Sequence, residues 1–447
     1  MKTKLFLLLF LSALSGSAQC WQKIDSGMYH TLALASNGTL WSWGYNNAGQ
    51  LGDGTIINRT QPVQIGTATD WVSVHAGYYH SFAIKADGTL WGWGQGANNR
   101  LGYGGFAEVH QPMQIGTATN WAKVSGGETF SIGLKTDGTI WVWGIDTYGQ
   151  MGNGLGGGYA IPTQLGVSTD NKDVEAGRFH VVLLKNNGNV YTWGNNDYSQ
   201  IGNGNVINQD APYLVPGTNN FIKIEAGTNS SVAIKDDGTL FLAGMIPNSA
   251  FTSVTFMQLY PSHVWANVKV TDKNFVGVKP DGSIWTYGLN TYGQNGLGLN
   301  TTALTVPLSG SDYSSNIGLN IYSLLVLKND GTLHGTGQNH VGQLGDNTTV
   351  QKSTITAVAC PAVLDAADFN TNLNFQVYPN PVQEVLRFSS SNNATIDNVV
   401  VYDVSGKKVL QVADSIDELN VEKLAKGYYT VEITSEGKKT MKKIIKE

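Results

Sequence analysis

Charge is scarce in this chain. Asp, Glu, Lys and Arg make up 14% of its 447 residues, against about 25% in an average soluble domain. Residues 19–371 hold 16 Lys and Arg against 23 Asp and Glu, a net of −7. Phosphate backbones are bound by basic surfaces, so no nucleic-acid partner is expected. Cysteine occurs twice, at Cys20 and Cys360, which excludes a disulfide-dense scaffold and offers no zinc-ligand spacing. The longest apolar run, residues 5–14, is half the roughly 20 residues of a helical membrane span. His-Glu-x-x-His, Gly-x-Ser-x-Gly and the P-loop pattern are missing. Gly152, Gly154 and Gly156 imitate a phosphate loop, but no helical pattern follows them. The sequence therefore assigns no catalytic residue, no cofactor and no metal ligand, and the chain is read as a non-enzyme.

The apolar run follows Lys2 and Lys4 and ends in Gly16-Ser17-Ala18. A basic start, a short apolar stretch and small residues define an export leader, here residues 1–18 with cleavage before Gln19. A lipoprotein leader with Cys20 as the lipidated residue is the rival, set back by the large polar Gln19 in front of it.

Glycine is abundant, at 54 residues, and it recurs in register. Trp21, Trp71 and Trp121 lie 50 apart, and Asn171 and Phe221 continue the slot. Ile24, Val74, Val124, Val174 and Ile224 follow, then Gly27, Gly77, Gly127, Gly177 and Gly227. The most regular slot is a turn: Asn37-Gly38, Asp87-Gly88, Asp137-Gly138, Asn187-Gly188, Asp237-Gly238, Asp281-Gly282 and Asp330-Gly331. Such pairs between apolar runs mark hairpins, and they favour a type I′ turn with positive φ at both residues. Seven turns predict seven hairpins, the fifth unit being short after Gly244. A unit this small cannot bury its own sheet, so neighbours must stack.

The run from Trp71 through Val74, Gly77, His80-Ser81 and Ala83-Ile84-Lys85 to Asp87-Gly88-Thr89-Leu90-Trp91 and Trp93-Gly94 resembles the regulator of chromosome condensation repeat. So does the Gly-Gln-Leu-Gly element at 49–52 and 342–345. The resemblance covers about residues 21–360. It implies an all-β, seven-bladed β-propeller over residues 19–361, each blade a four-stranded antiparallel sheet. Members of that family share the fold and not the function; they include a nuclear exchange factor, a plant photoreceptor and a secreted enzyme inhibitor. In a closed ring Cys20 and Cys360 are neighbours, and a disulfide between them is expected, contributing roughly 4–5 kcal/mol by loop entropy. Two unpaired buried cysteines are the alternative. All twelve tryptophans fall in three repeat slots, as blade packing requires. His30, His80 and His180 share another slot, where hydrogen bonds to turn backbone are expected rather than a metal.

After a linker at 362–372, residues 373–447 read as a small Ig-like β-sandwich. Tyr378-Pro379-Asn380-Pro381, Tyr402-Asp403 with Gly406-Lys407, and Gly427 with Tyr429 resemble the type A C-terminal sorting domain of the type IX secretion system. This implies handling by that secretion machinery and its sorting peptidase, passage through the periplasm, and release or attachment at the outer cell surface. The chain is thus expected to be a monomeric, exported binding module for an extracellular protein or glycan, with an enzyme inhibitor as the alternative. Loops at 53–60, 103–110, 153–160 and 203–210 break the repeat and are the expected contact region.

Overall fold

Each hairpin forms where a run of β-branched, aromatic and small residues meets a glycine able to take a left-handed turn position. The computed structural model describes residues 20–245, 247, 252–271, 273–298, 306–307, 312–360, 375–390, 395–403, 407–413, 416–435 and 438–447. The expected leader, the linker and Gly406 lie outside the described residues. The seven turn glycines have φ between +77° and +81°, whereas the Asn or Asp before each does not take positive φ. The type I′ expectation is therefore corrected: the loop has three residues with glycine in the left-handed position. In the first unit Gly38 N donates to Ala35 O and Ala35 N to Thr39 O, both at 3.0 Å.

The Asn or Asp is there as an acceptor. Asn37 Oδ1 takes the Thr39 amide at 3.1 Å and its hydroxyl at 2.7 Å. Asp87, Asp137, Asp237, Asp281 and Asp330 repeat this with the Thr or Ser two residues on. That hydroxyl then accepts an indole: Trp41 Nε1 donates to Thr39 Oγ1 at 2.8 Å, and Trp91 to Thr89 at 2.9 Å. The turn slot and a tryptophan slot are thus one local unit.

Seven four-stranded antiparallel sheets follow one another, at 21–64, 71–114, 121–165, 171–214, 221–259, 267–307 and 313–358. The first strands, beginning with Trp21–Ser26 and ending with Tyr313–Leu319, adjoin one another in sequence, and the last adjoins the first. The seven sheets are the blades of a closed propeller with the first strands innermost. Among the described residues the one helical element is the 3-10 turn Ala97–Asn99. No described helix is long and apolar enough to cross a membrane.

The glutamine carbonyl of the Gly-Gln-Leu-Gly element acts on the next blade. The carbonyl of Gln50 accepts the Ser81 hydroxyl at 2.7 Å and the Trp93 indole at 2.9 Å. Arg100 O serves Ser131 and Trp143, and Gln150 O serves Trp193. Gln343 O accepts Trp43 Nε1 at 3.1 Å and so joins the seventh blade to the first. These four indoles are fully buried. Ring closure is reinforced by Trp21 N donating to Gly331 O at 3.2 Å and by a Cys20–Cys360 disulfide with 6.0 Å between Cα atoms.

Residues 361–447 form a second unit. A three-stranded sheet (Phe375–Tyr378, Val385–Ser390, Glu418–Asn420) and a four-stranded sheet (Lys408–Ala413, Asn398–Tyr402, Gly427–Ser435, Lys438–Lys446) share one core. Phe375, Leu386, Val399, Val401, Val431, Ile433 and Ile444 fill it. The lysine-rich end is an edge strand paired to Gly427–Ser435.

Candidate functional site

In a strand alternate residues face one side. Positions two and four after the Trp21 slot therefore share one face of the inner strand, turned toward the neighbouring blade. The outer of these rows carries Lys23, Lys123, Asp173, Lys223 and Asn267. The other carries Asp25, His75, Ser125, Glu175, Glu225 and Lys269. Nearly every side chain reaches forward to the following blade. Lys23 Nζ donates to Val72 O at 2.8 Å, Lys223 Nζ to Ala266 O at 2.7 Å and Asn267 Nδ2 to Ser315 O at 2.7 Å. Asp25 Oδ2 lies 3.1 Å from His75 Nδ1 and accepts Ala76 N at 3.0 Å. His75 Nε2 accepts Gly126 N at 2.8 Å, which places the ring proton on Nδ1, toward Asp25. Lys123 pairs with Asp173 and Glu175, and Lys269 with Glu225 at 3.0 Å.

The electrostatics follow from partial burial and these pairs. Burial pushes the Asp25 carboxyl up, but the His75 hydrogen bond, the Lys269 charge and the Ala76 amide outweigh it and leave its pKa at about 2. Glu225 goes the other way: burial, with the Glu175 charge adding to it, pushes it up to about 8 despite Lys269. Lys269 faces Glu225, Asp25 and Glu175 together, so it stays charged whether or not Glu225 holds a proton.

The axial row borders a cavity of about 110 Å³. Its other lining residues include Gly27-Met28, Gly77-Tyr78, Gly177-Arg178 and Gly227-Thr228, which are the turns between first and second strands. Those turns lie at the propeller end that also carries the loops between third and fourth strands. The mouth is aromatic. Tyr29 packs on Tyr45 and His340, Tyr148 on Phe179 with 5.0 Å between centroids, and Tyr292 on Tyr322 at 5.3 Å. Around it, Ile56, Ile57, Phe106, Leu155, Val206, Ile207 and Val350 are each more than half exposed, Leu155 to 86%.

The loops that hold these residues are braced from below. Asn46 Nδ2 donates to Thr55 O at 3.0 Å and Ile57 O at 3.1 Å, while its Oδ1 accepts Leu51 N at 2.9 Å. Asn196 and Asn339 repeat the pattern in the fourth and seventh blades. Asp53, within an expected contact loop, is instead a brace, buried and paired with Arg59 at 2.6 Å.

The expectation for the shared histidine slot is corrected for His30 and His80. His30 Nε2 meets Ser81 Oγ at 3.0 Å and His80 Nε2 meets Ser131 Oγ at 3.4 Å, so these rings bond a hydroxyl of the next blade and not turn backbone. They lie behind the axial glycines: a Cβ on Gly177 would stand 2.1 Å from His180 Cε1. Burial lowers His30 to about 3 and His180 to about 4, and carries His80 well down too. Among the described residues no three His, Cys, Asp or Glu side chains gather as metal ligands.

In the second unit, Tyr378 is 47% exposed, and both Tyr378-Pro379 and Asn380-Pro381 are cis. Asn380 Oδ1 accepts Ile445 N at 2.8 Å, Lys407 N donates to Asp403 Oδ1 at 3.1 Å, and Tyr429 OH donates to Ala425 O at 2.9 Å. Gly427 opens the strand that carries Tyr429.

Sequence reasoning missed the axial row. The signal was present two residues before each Gly27-type glycine, in the one inner-strand slot that changes among Asp, His, Ser, Glu and Lys.

Residues 37–84, 87–134, 137–184 and 187–234 match the regulator of chromosome condensation (RCC1) repeat, and a second description of that repeat matches 21–50, 71–100, 121–150 and 172–200. Residues 376–447 match the secretion system C-terminal sorting domain. The ultraviolet-B receptor UVR8 of Arabidopsis thaliana is 44% identical over 55 residues, 12% of each chain, so the match spans a small part of that relative. Human WBSCR16 superposes with a TM-score of 0.64 at 20% identity, over 72% of this chain and 94% of that one. Yeast RCC1 (Prp20), solved bound to Kap60, gives 0.60 at 20% identity, over 67% and 78%. At such identities these likenesses establish the fold alone. The chain thus carries regulator of chromosome condensation repeats within residues 21–234 of its propeller, and a type IX secretion sorting domain at 376–447.

Proposed function

We propose that this protein is an exported binding module whose ligand, an extracellular protein or glycan, docks on the end of the propeller that carries the third-to-fourth-strand loops. One observation carries the reading. Seven large apolar side chains stand exposed on equivalent loops of that end, and exposed apolar clusters of this kind mark interaction surfaces. Buried asparagine braces hold five of them, Ile56, Ile57, Val206, Ile207 and Val350, in place before any ligand arrives, which lowers the entropy lost on binding. The half-buried tyrosines at the mouth offer flat faces with a polar tip, suited to protein and sugar surfaces alike.

The sorting domain supports delivery to the cell surface or the medium. On this reading a leader is cut before Gln19, the sorting peptidase removes the C-terminal domain, and the mature propeller acts as a monomer. Intact mass of the cell-surface and medium fractions tests that processing. For binding, the secreted protein is screened against an extracellular protein set and a glycan array. A Phe106→Ser, Leu155→Ser, Ile207→Ser triple variant is expected to lose the signal with unchanged Tm.

A second reading, hydrolysis at the axis, rests on Glu225 beside Glu175 in a water-accessible cavity. The carboxylates Asp25 and Glu175, however, are already committed to the following or preceding blade.

A further inference from the structure

The first position of the inner strand is aromatic in six blades: Trp21, Trp71, Trp121, Phe221, Trp265 and Tyr313. In the fourth blade it is Asn171. Elsewhere that ring packs against the aromatic residue on the third strand, as Trp21 does on Trp41 at 6.0 Å and Trp71 on Trp91 at 5.9 Å. In the second, third, fifth and sixth blades a lysine at the end of the second strand covers the pair. Lys135 Nζ lies 4.9 Å from the Trp121 ring and 3.7 Å from Trp141, and Lys235 lies 5.4 Å from Phe221 and 4.8 Å from Phe241.

In the fourth blade half of this arrangement is missing. Lys185 Nζ stands over Tyr191 alone, at 5.7 Å. Between the third and fourth blades a cavity of about 480 Å³ opens, lined among others by Asn171, Tyr191, Trp193, Leu183, Leu165 and Lys185. Leu165 is partly exposed there, although its counterparts Ile65, Ile115 and Val215 are 1–2% exposed.

Asn171 is oriented as well as small. Its Nδ2 donates to Gly138 O at 2.7 Å and to Ser168 O at 3.1 Å. The first of these stands in for the bond that Trp71, Phe221 and Trp265 make from the main chain to the turn glycine of the preceding blade. With both donors engaged the amide cannot flip, and Oδ1 is left buried without a protein partner. The residue itself is 6% exposed. Lys185 is fixed at the rim by Asp170 and Ser168.

We propose that this cavity is a binding site for an electron-rich planar aromatic ring such as an indole. The ring would take the place that tryptophan fills in four other blades, edge-on to Tyr191 and beneath Lys185. The chemistry is the same whether the ring belongs to a free molecule or to a side chain of a partner. The site lies apart from the axial cavity, although Asn153 and Tyr159 of the 153–160 loop also line it, and its argument does not rest on the function proposed above.

The test is calorimetric titration of the purified full-length protein with indole, and separately with N-acetyl-tryptophanamide. Indole is expected to bind at one site per chain, and Asn171→Trp, which fills the space from within, to weaken it by about tenfold or more. Should that variant fold poorly, Asn171→Phe replaces it, since Phe221 already occupies the same slot. Binding of both probes assigns the site to an aromatic side chain of a partner; binding of indole alone assigns it to a free small molecule. Saturation by neither probe, or equal binding to the wild type and the filled variant, overturns the proposal.

Discussion

The third blade offers a gain-of-stability test of the loop braces. Where Asn46, Asn196 and Asn339 stand in other blades, the third has Asp146. It keeps one half of the brace, since its Oδ1 accepts Met151 N at 2.9 Å as Asn46 accepts Leu51 N. It has no N–H to collect the loop carbonyls, and its Oδ2 is buried without a partner. Burial accordingly pushes the Asp146 carboxyl above its usual range, with the Asp210 charge adding to it. Asp146→Asn supplies the missing donor toward Leu155 O and Gly157 O, the counterparts of Thr55 O and Ile57 O. Two new hydrogen bonds at roughly 0.5–1.5 kcal/mol each, with the orphaned acceptor relieved, give about 1–3 kcal/mol of added stability at neutral pH. The wild-type carboxyl binds its proton more tightly folded than unfolded. Its contribution is therefore fully present only below the unfolded value of 3.8 and is lost as pH rises through the raised folded value. The advantage of the variant must shrink on acidification, because protonated Asp146 can itself donate. Urea unfolding of both proteins at neutral and mildly acidic pH measures the difference directly. A neutral or destabilising effect at neutral pH, or a gap that widens in acid, refutes the reasoning.

Three further outcomes follow from the same structure. Replacing Cys20 and Cys360 by Ser reopens the ring and is expected to lower stability by up to about 5 kcal/mol, read as a lower urea midpoint that matches wild-type protein in reductant. His180 is held near 4 by burial, so its contribution is present above the usual 6.5 and lost as pH falls toward 4, worth up to roughly 3 kcal/mol. His180→Phe, which copies Phe130 from the same slot, should move the acid-unfolding midpoint to lower pH. Glu225 is raised to about 8, so it loses stability as pH climbs from 4.5 to 8, and Glu225→Gln should flatten that part of the stability–pH curve relative to wild type.

Much of the fold was legible because each repeat is locally self-consistent. The Asn37-Gly38 turn and the Trp41 slot meet a local demand, and seven copies of that turn predict a ring of hairpins. The turn type was misread because Asn37 resembles a residue chosen for positive φ, whereas it is chosen for its Oδ1. His30 and His80 were misassigned because His30 bonds to Ser81, 51 residues away, and nothing local announces a partner in the next blade. The axial row escaped for a related reason: Asp25, His75 and Glu225 look like ordinary exposed strand positions until the ring turns that face toward the neighbouring blade. Asn171 read as one more member of its slot, since a missing indole becomes a cavity only when the neighbouring blade is in place. The loops at 103–110 and 153–160, which carry the exposed Phe106 and Leu155, were found by the opposite logic, as stretches that break the repeat.

The claim that one end of the propeller is the ligand face is tested most directly by comparing two variants in one binding assay. The first is the Phe106→Ser, Leu155→Ser, Ile207→Ser triple variant on the loop-bearing end. The second is Val167→Ser, which alters a residue that is 93% exposed on the link between fourth and first strands at the other end. With the ligand recovered from the extracellular screen, the triple variant is expected to bind at least about tenfold more weakly while Val167→Ser binds as wild type. Equal binding by all three proteins, or a loss confined to Val167→Ser, contradicts the account.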